Sequence, residues 1–300
     1  MATIGRVLTA MVTPFSPDGS IDEKRTAQLA QALVASGSDG LVVTGTTGES
    51  PTLSHREKLR LYEIVRAAVG PETAVIAGTS TYNTAESVEL TREAAHLGVD
   101  GFLLVVPPYN KPTQEGMYRH FAAIASATTL PCILYNVPGR TGSNLLPSTV
   151  LRLRQFANIV GIKEASGDLE QIATIIEAAG PEFRVWSGDD NLTLPILAVG
   201  GYGVISVASH LVGRQIQEMI HAFLAGQNAR AAAIHRRLLP LVKALFVVGN
   251  PVPVKYALGV AGFPVGECRL PLYGPDEETA RIIRHAIERQ QIDLPMATTA

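Results

Sequence analysis

Eight times along the chain a short apolar run rich in β-branched residues gives way to a segment of helical period, and this alternation limits the fold more than any other feature. The runs are Val7–Val12, Leu41–Thr44, Ala74–Ala77, Gly101–Val106, Cys132–Asn136, Ile159–Ile162, Arg184–Ser187 and Gly203–Val207. Strands joined by helical crossovers lie parallel, and a parallel sheet must be covered on both faces. Eight such units in strict succession favour a closed α/β structure, a (β/α)8 TIM barrel, over an open doubly wound sheet. No glycine-rich dinucleotide fingerprint follows the first run, where an open nucleotide-binding sheet would carry it.

Helix signals agree with this division. Ser20-Ile-Asp-Glu23 and Ser54-His-Arg-Glu57 read as capping boxes opening helices to about Ser36 and Val69. Further helices are expected from Asn83 to Leu97, from Gln114 to Ala127, beside Pro147, from Leu169 to Ala178 and from Leu192. The barrel, residues 1–224, should be complete near Leu224. Residues 225–300 form a C-terminal helical region, with helices over Asn228–Val247, Val254–Val260 and Asp276–Gln290 and a frayed end from Pro295 to Ala300.

Composition excludes several function classes. Three hundred residues with 46% apolar content can bury a barrel-sized core, and a net charge of −2 leaves no basic footprint for nucleic acid or an anionic membrane. The start of the chain has no charged stretch followed by an apolar one, and no apolar run reaches spanning length, so a cytoplasmic protein is expected. Cys132 and Cys268 are distant and read as reduced thiols, while the seven histidines show no metal-ligand spacing. No metal is expected.

In a barrel of this kind the chemistry sits at the carboxyl ends of the strands, in the βα loops. The sixth run delivers Lys163 to such an end, and period-two alternation puts Ile159, Gly161 and Lys163 on one face. A desolvated lysine has a lowered pKa and can attack a carbonyl to form a Schiff base. A lysine that snorkels to water or pairs with Glu164 is the competing reading from this stretch alone. Gly45-Thr-Thr-Gly-Glu-Ser50 offers two hydroxyls and backbone N–H groups for a carboxylate or phosphate, or else is a plain turn. Pro107-Pro-Tyr-Asn-Lys-Pro112 fixes Tyr109 on a stiff path, for chemistry or for packing. Tyr135 ends the fifth run and can relay protons, and Arg140 in the following turn can hold a carboxylate or form a rim salt bridge. Ser187-Gly-Asp-Asp190 reads as a turn and helix cap more readily than as a magnesium site.

Taken together and in order, these five loops resemble those of the dihydrodipicolinate synthases, Schiff-base lyases of the N-acetylneuraminate lyase superfamily. The resemblance covers essentially the whole chain. It implies that Lys163 forms an imine with pyruvate, whose enamine attacks aspartate 4-semialdehyde, and that the adduct cyclises to 4-hydroxy-tetrahydrodipicolinate. It implies a proton relay of Tyr135, Thr46 and Tyr109, the last entering a neighbouring subunit's site. Thr47 matches the residue holding pyruvate's carboxylate, and Arg140 the arginine that orients the semialdehyde. Gly188 and Ile205 match positions whose backbone lines the pocket. No cofactor is implied beyond the covalent imine, and the implied assembly is a homotetramer of two tight dimers. His55 and Glu86 match positions that bind lysine in feedback-inhibited members. Lys58, Tyr82 and Pro108 depart from that pattern, so weak or absent lysine inhibition is expected.

Three other readings remain at this stage. A pyruvate-dependent aldolase for hydroxy-keto sugar acids would share Lys163 and the first tyrosine but usually lacks the Pro-Gly-Arg-Thr turn. A non-catalytic small-acid-binding barrel would need an inert Lys163. A phosphosugar isomerase would want its glycine loop after strands seven and eight, whereas Val199–Gly203 precedes strand eight.

Overall fold

The computed structural model describes residues 2–295, so the expected fraying of 296–300 lies outside the described residues. Eight parallel strands close into a barrel in sequence order: β1 Val7–Ala10, β2 Gly40–Val43, β3 Ala74–Gly78, β4 Gly101–Val105, β5 Cys132–Asn136, β6 Ile159–Glu164, β7 Arg184–Ser187 and β8 Gly203–Ser206. Closure is made by β1 against β8, with Val7 beside Val204 and Thr9 beside Ser206. The ring leaves no edge strand, and nearly every strand residue is buried.

Around it run α1 Glu23–Ala35, α2 His55–Val69, α3 Thr84–Ala94, α4 Gln114–Ala125, the short α5 Pro138–Thr141, α6 Pro147–Leu153, α7 Leu169–Ala179, α8 Thr193–Ala198 and α9 Ser209–Leu224. The C-terminal helices α10 Asn228–Ala244, α11 Val252–Val260 and α12 Glu277–Glu288 follow. One apolar layer lies between strands and helices, and a second fills the barrel with Leu8, Val42, Ile76, Ile133, Trp186 and Ile205. Among the described residues no helix is long and apolar enough to cross a membrane.

The local signals held unevenly. Ser54 and Glu57 form both bonds of a capping box on α2. On α1 the expected box is replaced: Asp22 is the N-cap and accepts from Arg25 N at 2.8 Å, while Ser20 bonds Asp18 inside the preceding turn. An aspartate two residues nearer the helix satisfies an orphan N–H of its first turn, so the serine is not needed. The helix expected to Val247 stops at Ala244, and the chain turns through Gly249 to carry Asn250 back to the barrel.

Strand β6 breaks the simple alternation. The β5–β6 pairing skips from Cys132–Ile159 to Ile133–Gly161, a bulge that turns Ile159 outward to join Ile162 in the outer layer. Gly161 and Lys163 still face inward, and the room left by the glycine is taken by Trp186, whose Cζ3 would lie 2.7 Å from any Cβ at 161. Glu164 points to the opposite face, where Asn136 and Ser166 donate to it, so it is no partner for Lys163. The Ser187–Asp190 segment is also not a side-chain cap. Asp190 is buried and its Oδ2 accepts from Val207 N at 3.0 Å and Ala208 N at 3.1 Å, while Ser206 Oγ donates to Oδ1. The carboxylate laces the end of β7 to the end of β8, because two N–H groups and a hydroxyl there would otherwise be buried without partners.

Candidate active site

Tyr135 on β5 pairs directly with Lys163 on β6, so both side chains enter the barrel at its carboxyl end. Lys163 is only 5% exposed, and its Nζ lies 4.3 Å from the centre of the Tyr135 ring. Burial pulls the Lys163 pKa down to about 8; Asp190 and Asp189 oppose the shift and Arg140 adds to it. Burial likewise drives the Tyr135 phenol well above its ordinary range, keeping its proton available. Gly188 closes one wall: a Cβ there would stand 3.2 Å from Lys163 Cε and 2.7 Å from Ala165 Cβ. Only glycine leaves the lysine stem its place.

Lys163 faces a chamber of about 40 Å³ lined by Thr46, Thr47, Tyr135, Gly188 and Asn250. It adjoins a wider cavity of about 550 Å³ that extends to Lys58 and Glu86. Thr46 and Thr47 sit in a tight loop bounded by Thr44 and Glu49, both with left-handed φ, 56° and 57°, although neither is glycine. Thr44 Oγ1 is fixed by Tyr62 Oη at 2.7 Å, and Thr13 donates to the Gly48 carbonyl. Asn250 Nδ2 donates to Thr47 Oγ1 at 2.8 Å, which occupies an acceptor site and leaves the threonine's own proton for a ligand.

The remaining sequence-named residues divide. Arg140, on α5, is exposed and lines both cavities. Tyr109 has a left-handed φ of 74°, is 91% exposed, and borders only the wider cavity, so its ring is not brought to Lys163 within one chain. Ile205 is buried in the barrel interior, and the chamber wall at that strand's end is Val207. Glu86 borders the wider cavity beside Lys58, whose pKa burial lowers against the opposing charge of Glu86. His55 does not join them: its Nε2 is 3.1 Å from Glu93 on α3.

Sequence reasoning missed Asn250 and Phe246, which the C-terminal region contributes to the chamber. An available signal was the Gly249-Asn-Pro251 turn, a polar break inside an otherwise apolar stretch.

The arrangement suits imine chemistry on a small keto acid: a partly neutral amine, an adjacent phenol, and a hydroxyl-bearing loop for a carboxylate. Comparison with known proteins bears on this directly. The family model described as the dihydrodipicolinate synthetase family matches residues 3–290. A 4-hydroxy-tetrahydrodipicolinate synthase of Symbiobacterium thermophilum is 62% identical over 96% of this chain and 98% of its own. Dihydrodipicolinate synthase DapA-2 of Bacillus anthracis superposes with a TM-score of 0.94 at 48% identity, covering 96% of this chain and 99% of its own. The enzyme of Cyanidioschyzon merolae, solved with lysine bound, gives 0.94 at 47% identity, with the same coverage. With a matching barrel, a matching family model over nearly its whole length and relatives this close, the chain belongs to the dihydrodipicolinate synthetase family.

Proposed function

We infer that this chain is a lyase that condenses pyruvate with L-aspartate 4-semialdehyde to 4-hydroxy-tetrahydrodipicolinate, a step of lysine and diaminopimelate biosynthesis. The observation that carries the residue-level reading is the buried Lys163, its pKa near 8, beside Tyr135 in a chamber fringed by Thr46 and Thr47.

Neutral Lys163 attacks the keto carbon of pyruvate, and loss of water gives an imine. Loss of a proton from the methyl carbon gives the enamine, whose carbon adds to the aldehyde while the aldehyde oxygen takes up a proton. The amine of the adduct then attacks the imine carbon, closing the ring and releasing Lys163 as a free amine. Tyr135 and Thr46 carry protons in these steps, and Thr47 donates to the pyruvate carboxylate. Arg140, at the mouth, holds the semialdehyde's carboxylate. The backbone at Gly188 contributes to the wall, with Val207 in the place expected of Ile205. The protonated imine is itself the electron sink, so the reaction requires no metal or cofactor.

Tyr109 completes the relay from a neighbouring subunit. Its 91% exposure on a loop of constrained backbone supports that role, and a homotetramer built from two such dimers is the proposed assembly. The proposed compartment is the cytoplasm, in keeping with two unpaired cysteines. Glu86 remains a proposed regulatory contact, but the cation of Lys58 beside it disfavours a bound diamino acid and His55 is engaged by Glu93.

The test is product formation from pyruvate with aspartate 4-semialdehyde, set against pyruvate with longer hydroxyaldehydes. Efficient cyclised product from the semialdehyde alone supports the reading. Preference for hydroxyaldehydes would replace it with a sugar-acid aldolase.

A further inference from the structure

The loop that presents Thr46 and Thr47 begins and ends in non-glycine residues with left-handed backbone, a conformation that persists only where the surroundings over-determine it. Its first end, Thr44, is held by Tyr62 of α2 and by the Gly78 carbonyl at the end of β3. Its second end, Glu49, is held by a different part of the chain. Lys255 of α11 donates to Glu49 Oε1 at 2.8 Å, and the backbone N–H of Arg269 donates to Oε2 at 2.8 Å. The pair is almost fully enclosed, with side-chain exposures of 3% and 0%.

The C-terminal side of this contact is itself braced. Lys255 also donates to the Glu267 carbonyl at 2.8 Å, and its Nζ lies 4.4 Å above the Phe15 ring. The Arg269 guanidinium stacks on Phe15 at 4.3 Å and reaches the Thr52 carbonyl and Glu57 on α2. A buried pair of this kind gives little net stability compared with apolar residues of the same volume, but it fixes one geometry. Here the geometry it fixes is that of a loop carrying two hydroxyls at the chamber wall, with Asn250 of the same C-terminal region bonded to one of them.

We propose that Glu49, Lys255 and Arg269 are positioning residues for the keto acid: through this clamp the C-terminal helical region sets the Thr46–Thr47 loop to receive the substrate's carboxylate. The inference rests on the reading above that this loop binds that carboxylate. None of the three side chains touches the chamber, so their effect is carried by loop geometry alone. The clamp makes residues 225–300 part of substrate recognition and not only a cover for the barrel.

The test compares wild type with Lys255→Met, with Glu49→Gln/Lys255→Met, which leaves no orphaned buried charge, and with Thr47→Val as the control for the loop itself. Each is measured for thermal midpoint, kcat, and KM for both substrates. The clamp predicts that both Lys255 variants raise the pyruvate KM by on the order of tenfold. It also predicts that kcat at saturating pyruvate stays within about threefold and that the semialdehyde KM moves less. If Lys255→Met does not fold, the double variant carries the test. A lower thermal midpoint in the double variant with an unchanged pyruvate KM overturns the clamp while Thr47→Val still raises that KM. An unchanged pyruvate KM in Thr47→Val overturns the loop reading and the clamp with it.

Discussion

Burial around Lys163 sets the pH range over which the chain can form its imine, and the size of the effect follows from the structure. With a pKa of about 8 in place of the ordinary 10.5, roughly one lysine in ten is neutral at pH 7, against about one in three thousand unshifted. The nucleophilic population is therefore about 300-fold larger, equivalent to about 3 kcal/mol. The rate of imine formation with sub-saturating pyruvate, followed by rapid quench with borohydride, should rise about tenfold per pH unit at acid pH and level off above about pH 8. Asp189 and Asp190 favour the ammonium, so Asp189→Asn should move the inflection to lower pH. An inflection at or above about pH 10 in wild type would refute the claim that desolvation governs this amine, and an upward move in Asp189→Asn would refute the part given to the Asp189 charge.

Four further outcomes are expected. Tyr135→Phe should cut turnover by about 10²-fold or more while pyruvate is still trapped on the lysine, as intact mass and steady-state rates will show. Gly188→Ala places a methyl against the Lys163 stem and Ala165, so trapping should be severely slowed with the fold retained by circular dichroism. His210 is buried and neutral, with Nδ1 against the Val207 carbonyl at 2.8 Å and Nε2 facing Val12 N, and burial holds its pKa near 4. Because the folded value lies below the unfolded one of about 6.5, its contribution is complete above pH 6.5 and is lost as pH falls toward 4. Up to about 3 kcal/mol goes with it, readable as a falling urea midpoint that His210→Gln should flatten. Lysine should inhibit only at millimolar concentration or above; a micromolar constant would contradict the role given to Lys58.

The barrel was legible because its signal is repeated: eight apolar runs with helical segments between them leave few ways to bury both faces of a parallel sheet. That Lys163, Tyr135 and Thr47 would meet at one chamber was legible for a related reason, since strand ends in such a barrel converge on one mouth. What failed was finer than one residue's period. The bulge at Val160 turned Ile159 outward against the alternation, and Asp190 bonds across to β8, a contact no local pattern encodes. Asn250, Lys255 and Arg269 lie some two hundred residues from Thr47 and Glu49, and only the closed tertiary structure brings them together. A lysine inside the apolar run Val252–Val260 was the visible hint, because a cation in such company needs a buried partner.

The most direct test of the account is borohydride reduction with pyruvate, read by intact mass and peptide mapping on wild type and Lys163→Ala. The account predicts one reduced pyruvate adduct per chain, on the peptide carrying Lys163, and none in the variant. Equal trapping in the two proteins, or an adduct mapped to Lys58 or Lys255, would contradict it.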